Sequence, residues 1–315
     1  MSKKYIGVDL GAWYGDKTSI AILEEIEGSL TLTKIIREFS ADNKIECIYH
    51  KEKPVNDEFQ NYEFQFEDNL QKKLEKSEKK IINTKNWSLF ITPEEKNEKL
   101  VEYLLKQKGT DNTIIGIDAP FAIPYYLANP LANRDMTEKL YNPNPDNKTG
   151  ELMNQFIYDN SARFIYEKTK ERVLAPAGDK IGKMTARMVH IASHYKNELN
   201  IVKSPHLDIQ NKDITTIEVY PRATLKILLT GKIPSYKNDN WESEKENREK
   251  MIGLLEEHIE NINEWKEEIN TDDDYDAIIC ALTCYLIDKN GYEKPEDEDL
   301  DKFTNSFIYI PKVKK

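Results

Sequence analysis

A chain of 315 residues with a formal net charge of -11 and three cysteines can bury a sizeable core without covalent staples, and its odd, scattered cysteine count excludes a disulfide framework. That usage fits a reducing compartment; with no export signal and no apolar run long enough to cross a bilayer, the expected location is the cytoplasm, with no membrane partner. The acidic balance argues against broad affinity for phosphate polymers, but charge is unevenly spread: residues 161–203 carry nine Lys/Arg against four acids, whereas 242–301 carry 21 acids against six bases.

In chain order, residues 4–10, 18–24 and 29–36 predict three short strands in an antiparallel meander. Apolar residues at helical spacing between 66 and 108, with Thr92-Pro93-Glu94-Glu95 as a start signal, predict helix. TIIGIDAP (113–120) predicts a buried strand ended by Pro120, and the Pro- and Asn-rich stretch to about Gly150 an extended loop. Residues 151–203 predict helices interrupted by LAPAGDKIG, and ITTIEVYP (214–221) another strand ended by proline. Helical patterns follow at 222–230, 242–269 and 274–288, with SFIYIP (306–311) as a closing strand. The expected fold is α/β: a mixed sheet, part antiparallel meander and part parallel strands, flanked by helices, in a single domain over 1–315 with a loop and helical insertion at 121–213.

The stretch TDDDYD at 271–276 holds more acid than a helix start needs. Asp273 and Asp276 share a helical face, where like charges repel unless a cation intervenes. Asp9 ends one apolar strand, Asp118 ends another, and Glu218 sits within a third. Acids in such settings are paired, solvated at a cleft or bound to a cation, and the carboxyl ends of strands border the usual ligand crevice of an open α/β sheet. Converged, the five acids would form an oxygen-rich site suited to Mg2+ or Mn2+ and to two-metal hydrolysis of a phosphodiester. Taken singly, Asp9 bonding turn amides, Asp118 capping a loop and Glu218 pairing with a lysine are equally open.

GVDLG, GIDAPFAIP, EVYPRATLKILL followed by PSYK, and DDDYDAIICALTCYL with a closing IYIP resemble the domain-of-unknown-function 429 family, whose members are described as predicted ribonuclease-H-like nucleases. The first and last blocks are similar to Holliday-junction resolvases of the RuvC type. That resemblance implies a ribonuclease-H-like fold and metal binding by Asp9, Asp273 and Asp276, with Asp118 in the place of a third acid. Together, the strand-end acids and this resemblance give the leading reading: a Mg2+- or Mn2+-dependent nuclease with Asp9, Asp118, Asp273 and Asp276 as catalytic metal ligands and Glu218 as ligand or water-positioning base. Tyr220, Arg222, Tyr236 and Lys237 resemble family positions that would orient substrate, with packing an equally open role for the tyrosines and the lysine.

The basic helical segment is the candidate arm for a nucleic-acid partner, DNA or RNA: Arg163, Lys168, Arg172, Lys183 and Arg187, with Lys170, Lys180, Phe164, Tyr166 and Tyr195 interleaved, would contact phosphates and stack bases. An ordinary solvated helical face would look the same. GDKIGKMT (178–185) fails as a phosphate loop for want of spacing and of a preceding strand, and HIASH (190–194) lacks the glutamate of a zinc-protease helix. Cys280 and Cys284 share one face of an apolar helix, the position of core packing. Two other readings stand beside the nuclease. GVDLGAWYGDKTSIAIL resembles the first phosphate-binding hairpin of the actin, sugar-kinase and Hsp70 superfamily, which implies an ATP-binding phosphotransferase, although no later glycine-rich loop supports it. The other is a catalytically inactive nucleic-acid-binding module.

Overall fold

The computed structural model describes residues 3–12, 18–37, 93–109, 111–123, 160–174, 176, 181–209, 212–229, 233–237, 245–269, 271–296, 300, 303 and 306–312. Strands β1 (Lys3–Asp9), β2 (Ser19–Ile26) and β3 (Ser29–Arg37) form the expected antiparallel meander. Glu27 and Gly28 adopt φ of 54° and 90°, the pair of left-handed residues that lets a two-residue turn follow the strand twist. The chain continues through α1 (Pro93–Lys106), β4 (Thr113–Asp118), α2 (Asn160–Thr169), α3 (Gly182–His194), β5 (Ile201–Val202), β6 (Ile214–Val219), α4 (Pro221–Leu228), α5 (Lys245–Glu256), a 3-10 turn at Ile262–Trp265, α6 (Asp272–Asn290) and β7 (Ile308–Tyr309).

The seven described strands make one sheet of order β3-β2-β1-β4-β6-β5, with β7 also pairing with β6. β1, β4 and β6 run parallel, as do β5 and β7 against β6. This mixed sheet, flanked by six described helices, is consistent with a ribonuclease-H-like fold. No described helix is long and apolar enough to cross a membrane.

Two apolar layers enclose the sheet. α6 lies across β1, β2 and β4, and it comes so close because Gly7 and Gly116, paired in register, present no side chain to it. A Cβ on Gly7 would stand 1.9 Å from the Ala277 carbonyl oxygen, and one on Gly116 would stand 2.7 Å from Cys284 Sγ. Cys280 and Cys284 are accordingly buried in this layer, with Phe164 and Ile165 of α2 and Leu225 of α4. On the opposite face Ile6, Val8, Ile115 and Ile117 meet Leu100 and Leu104 of α1 and Met188 and Ile191 of α3.

The predicted insertion is thus divided. Most of its expected loop lies outside the described residues, and its two described helices join opposite layers, so that they form no single appended arm. The helix expected over 242–269 ends at Glu256. The chain there turns to serve the outer strand: Glu260 N–H donates to the Leu30 carbonyl (2.9 Å), and the Asn261 amide accepts from Leu32 N–H (2.8 Å) and donates to its carbonyl (3.0 Å). Asn261 therefore satisfies both backbone groups at one residue of an edge strand, where open valences invite unwanted pairing.

Candidate active site

Asp9 and Asp118 are the last residues of adjacent parallel strands and are paired in register. Side chains alternate across a strand, so both follow Gly7 and Gly116 onto the face covered by α6. α6 begins at this end of the sheet. Its N-cap is Thr271, whose hydroxyl accepts from Asp274 N–H (3.1 Å) while the Asp274 carboxylate accepts from Thr271 N–H (2.9 Å), a reciprocal capping box.

Asp274 does far more than cap. It is fully buried, and its carboxylate takes two bonds of 2.7 Å from the Arg37 guanidinium and one of 2.9 Å from Ser19 Oγ. Ser19 is the β2 residue paired with Asp9. The third aspartate of the run is therefore a structural anchor, fastening the start of α6 to the strand beside Asp9 and to the end of β3. With that helix end fixed, Asp276 is carried toward Asp9 and Asp118. Only 3% of Asp276 is exposed. Its Oδ1 accepts from the Tyr236 hydroxyl (2.7 Å), and its Oδ2 is ion-paired with the Lys237 ammonium.

The electrostatics bind these groups into one cluster. Burial, then Asp276, Asp118 and Asp273, push the Asp9 carboxyl well above the usual carboxylate range, with Lys237 opposing. Burial and Asp276 raise Asp118 to about 7, again against Lys237. Burial also raises Asp276, although Lys237 and the Tyr236 hydroxyl pull the other way. Burial alone would lower the Lys237 ammonium, but Asp276 and Asp118 outweigh it and the value rises. Tyr220, raised to about 12 by burial and by Asp118, lies at the rim and donates to the Arg172 carbonyl (2.9 Å). Arg222 beside it donates to Glu171 (2.7 Å).

Asp9, Asp118, Asp273 and Asp276, with Tyr236 and Lys237, are therefore brought into one electrostatic neighbourhood, whereas Glu218 projects from β6 toward the other layer. Glu218 pairs with Ile117, whose side chain belongs to the opposite layer, and its Oε2 accepts from Phe121 N–H (3.0 Å) and Ser306 Oγ (2.6 Å). Its observed work is to tie the turn that follows Asp118 to the chain entering β7, which corrects the expectation of a fifth converging acid. Arg187 also departs from expectation. It is fully buried, donating from Nε to Asn97 Oδ1 (2.9 Å) and from a terminal nitrogen to the Gly11 carbonyl (2.8 Å) and Thr18 Oγ1 (3.0 Å). It fastens both ends of the β1–β2 connection and is no surface phosphate contact.

Arg163, Lys168 and Arg172 are exposed on the α2 side, with Lys168 paired to Glu293 at 3.7 Å, while Lys183 is exposed on α3 in the other layer. The basic residues expected to act as one arm are thus shared between two layers. Lys180 lies outside the described residues. The rings of His190 and His194 stack with centroids 4.2 Å apart, and His194 Nδ1 is 3.0 Å from the His190 carbonyl.

Among the described residues no group of three or more His, Cys, Asp or Glu side chains has the placement of a metal-ligand set. Both oxygens of Asp276 are engaged by Tyr236 and Lys237, leaving Asp9 and Asp118 as the neighbouring carboxylates. In donor chemistry the cluster suits a hard divalent cation: it offers carboxylate oxygens whose mutual repulsion a positive charge relieves, and a lysine ammonium already holds a positive charge among them. Mg2+ retains several waters and is commonly held by one or two carboxylates together with substrate phosphates, so a two-carboxylate platform suffices.

No curated protein and no solved structure matches the chain. A family model described as a protein of unknown function (DUF429) matches residues 96–299, which include β4, β6 and all of α6 and hence Asp118, Lys237 and Asp276. The chain belongs to the DUF429 family.

Proposed function

We propose that this protein is a divalent-metal-dependent nuclease that hydrolyses phosphodiester bonds of DNA or RNA. The observation that carries the reading is the in-register pair Asp9 and Asp118 at adjacent parallel strand ends, where burial and then Asp276 raise both carboxyls and Asp118 raises Asp9 further. Carboxylates so crowded are poised to take up a cation in place of protons. Asp9 and Asp118 would hold Mg2+ or Mn2+, with Asp273 and Asp276 completing the acidic wall. Bound there, the metal supplies an activated water and neutralises charge on the phosphodiester.

The remaining steps belong to the chain. Tyr236 orients Asp276 through its 2.7 Å hydrogen bond, and Asp274 ties the start of α6 to β2 at Ser19, the residue paired with Asp9. Lys237 and Arg222 at the rim offer positive charge to an anionic backbone, Arg222 being held in place by Glu171. The actin-like alternative calls for a second copy of the core, and the described residues contain one sheet.

The test is cleavage of a panel of single-stranded, duplex and branched DNA and RNA with Mn2+ or Mg2+. Wild-type protein is expected to cut at least one substrate, with loss on chelation and in Asp9→Asn and Asp276→Asn variants that keep the wild-type circular dichroism spectrum. Equal cutting by both variants removes the assignment; tight ATP binding with no cleavage favours the phosphotransferase. Nucleic-acid binding with neither favours an inactive module.

A further inference from the structure

The cluster contains its own cation. Lys237 ends the described segment 233–237, and its ammonium pairs with Asp276 Oδ2 while Tyr236 holds Oδ1. Asp276 is almost wholly buried, yet 42% of the Lys237 side chain is exposed. The acid is therefore fixed on a helix, whereas the lysine has a flexible four-carbon stem and open solvent on one side. Asp118 and Asp9 also act on this ammonium, so it neutralises the same carboxylates that a divalent ion would bridge. Two cations cannot share Asp276 Oδ2 at contact distance without strong mutual repulsion.

We infer that Lys237 is a tethered counter-cation that, through Asp276, neutralises the cluster of Asp9, Asp118 and Asp276 and competes with a divalent metal for that cluster. The inference rests on the metal-dependent reading above and deepens it. When Mg2+ or Mn2+ enters, the ammonium leaves Oδ2 and its stem turns toward the rim, where Arg222 lies. The site would thus remain charge-compensated without metal, and metal entry would release a positive group at the edge of the cleft. Metal affinity is held down by the same amount that the lysine pair contributes.

The experiment measures Mn2+ affinity without nucleic acid, by electron paramagnetic resonance of free Mn2+, for wild type, Lys237→Met, Lys237→Arg and Asp9→Asn. Lys237→Met keeps the stem and removes the charge; it is expected to bind Mn2+ about tenfold more tightly or better at low salt. Lys237→Arg, which keeps a cation on Asp276, is expected to stay within about threefold of wild type. Binding by Lys237→Met at wild-type strength or weaker overturns the inference, and if Asp9→Asn still abolishes that binding the metal-dependent reading survives alone. Binding unchanged by Asp9→Asn, or absent from every variant, overturns both. A second readout does not depend on affinity: acylation of Lys237 by an amine-reactive ester, followed by mass spectrometry, should rise when Mn2+ is added to wild type. An unchanged rate at saturating Mn2+ contradicts displacement.

Discussion

Replacing Asp274 by alanine perturbs the anchor between α6 and the meander without touching the acids proposed to meet metal. The wild-type carboxylate is fully buried and accepts two bonds from Arg37, one from Ser19 and one from Thr271 N–H. Removing one partner of a buried pair costs about 3–5 kcal/mol, because the surviving charge is left uncompensated. Arg37 is 23% exposed and its NH2 also donates to the Glu268 carbonyl, so part of its charge stays solvated and the lower end applies. Losing the acceptor of Thr271 N–H, the reciprocal half of the capping box, adds about 1 kcal/mol, while Thr271 still caps the helix. We therefore expect Asp274→Ala to lower unfolding free energy by about 4 kcal/mol, read as a shift of the urea midpoint by circular dichroism. Adding Arg37→Met to it should restore part of that loss, because the stranded guanidinium goes with it. A loss below about 1 kcal/mol, or no coupling between the two sites, would refute the anchoring role.

The remaining predictions concern the cluster's charge and the glycine contact. The Asp118 carboxyl rises from its ordinary 3.8 to about 7, so between these values the folded state keeps a proton that the unfolded chain has released. Its contribution to stability is complete below the lower value and is lost as pH climbs through the upper one. Asp118→Asn should therefore be more stable than wild type by about 4 kcal/mol at pH 8 and equal to it near pH 4, and a gap of the opposite sign at pH 8 in metal-free urea unfolding would contradict the crowding. Gly7→Ala should lose about 3 kcal/mol or more, because the new methyl meets α6 backbone at 1.9 Å. Gly116→Ala meets chiefly the Cys284 sulfur at 2.7 Å and should be partly rescued by Cys284→Ala. Identical thermal melts for the single and double variants would contradict that contact.

Much of this was legible because the sequence carries the signals locally. Asp9 and Asp118 stand out as acids closing apolar runs, and strand ends in a parallel sheet converge by topology alone. The over-filled cap at 271–276 reads as a cation site, and what the structure shows at Asp276 is a hydrogen bond from Tyr236 and an ion pair with Lys237. What the run concealed was the division of labour. Asp274 works through Arg37, 237 residues away, and no local pattern encodes that pairing.

Glu218 was misread for a parity reason. A strand's sequence fixes alternation but leaves open which set faces which layer, and the β4–β6 register puts Glu218 beside Ile117 and away from Asp118. Arg187 was misread because charge in a helix suggests solvent, whereas this arginine is buried among Asn97, Gly11 and Thr18. The basic segment 161–203 reads as one unit in sequence, but Phe164 and Ile165 seek one face of the sheet and Met188 and Ile191 the other. Lys237 was expected at the site as a substrate contact; its pairing with Asp276 emerges only once the segment 233–237 is set against α6.

The most direct test of the central claim is anomalous diffraction from a crystal soaked in Mn2+. A shared metal site predicts a peak at about 2.2 Å from carboxylate oxygens of both Asp9 and Asp118, with the Lys237 ammonium withdrawn from Asp276. A crystal saturated with Mn2+ that has no peak between these two strand ends, and Lys237 still on Asp276, would contradict it.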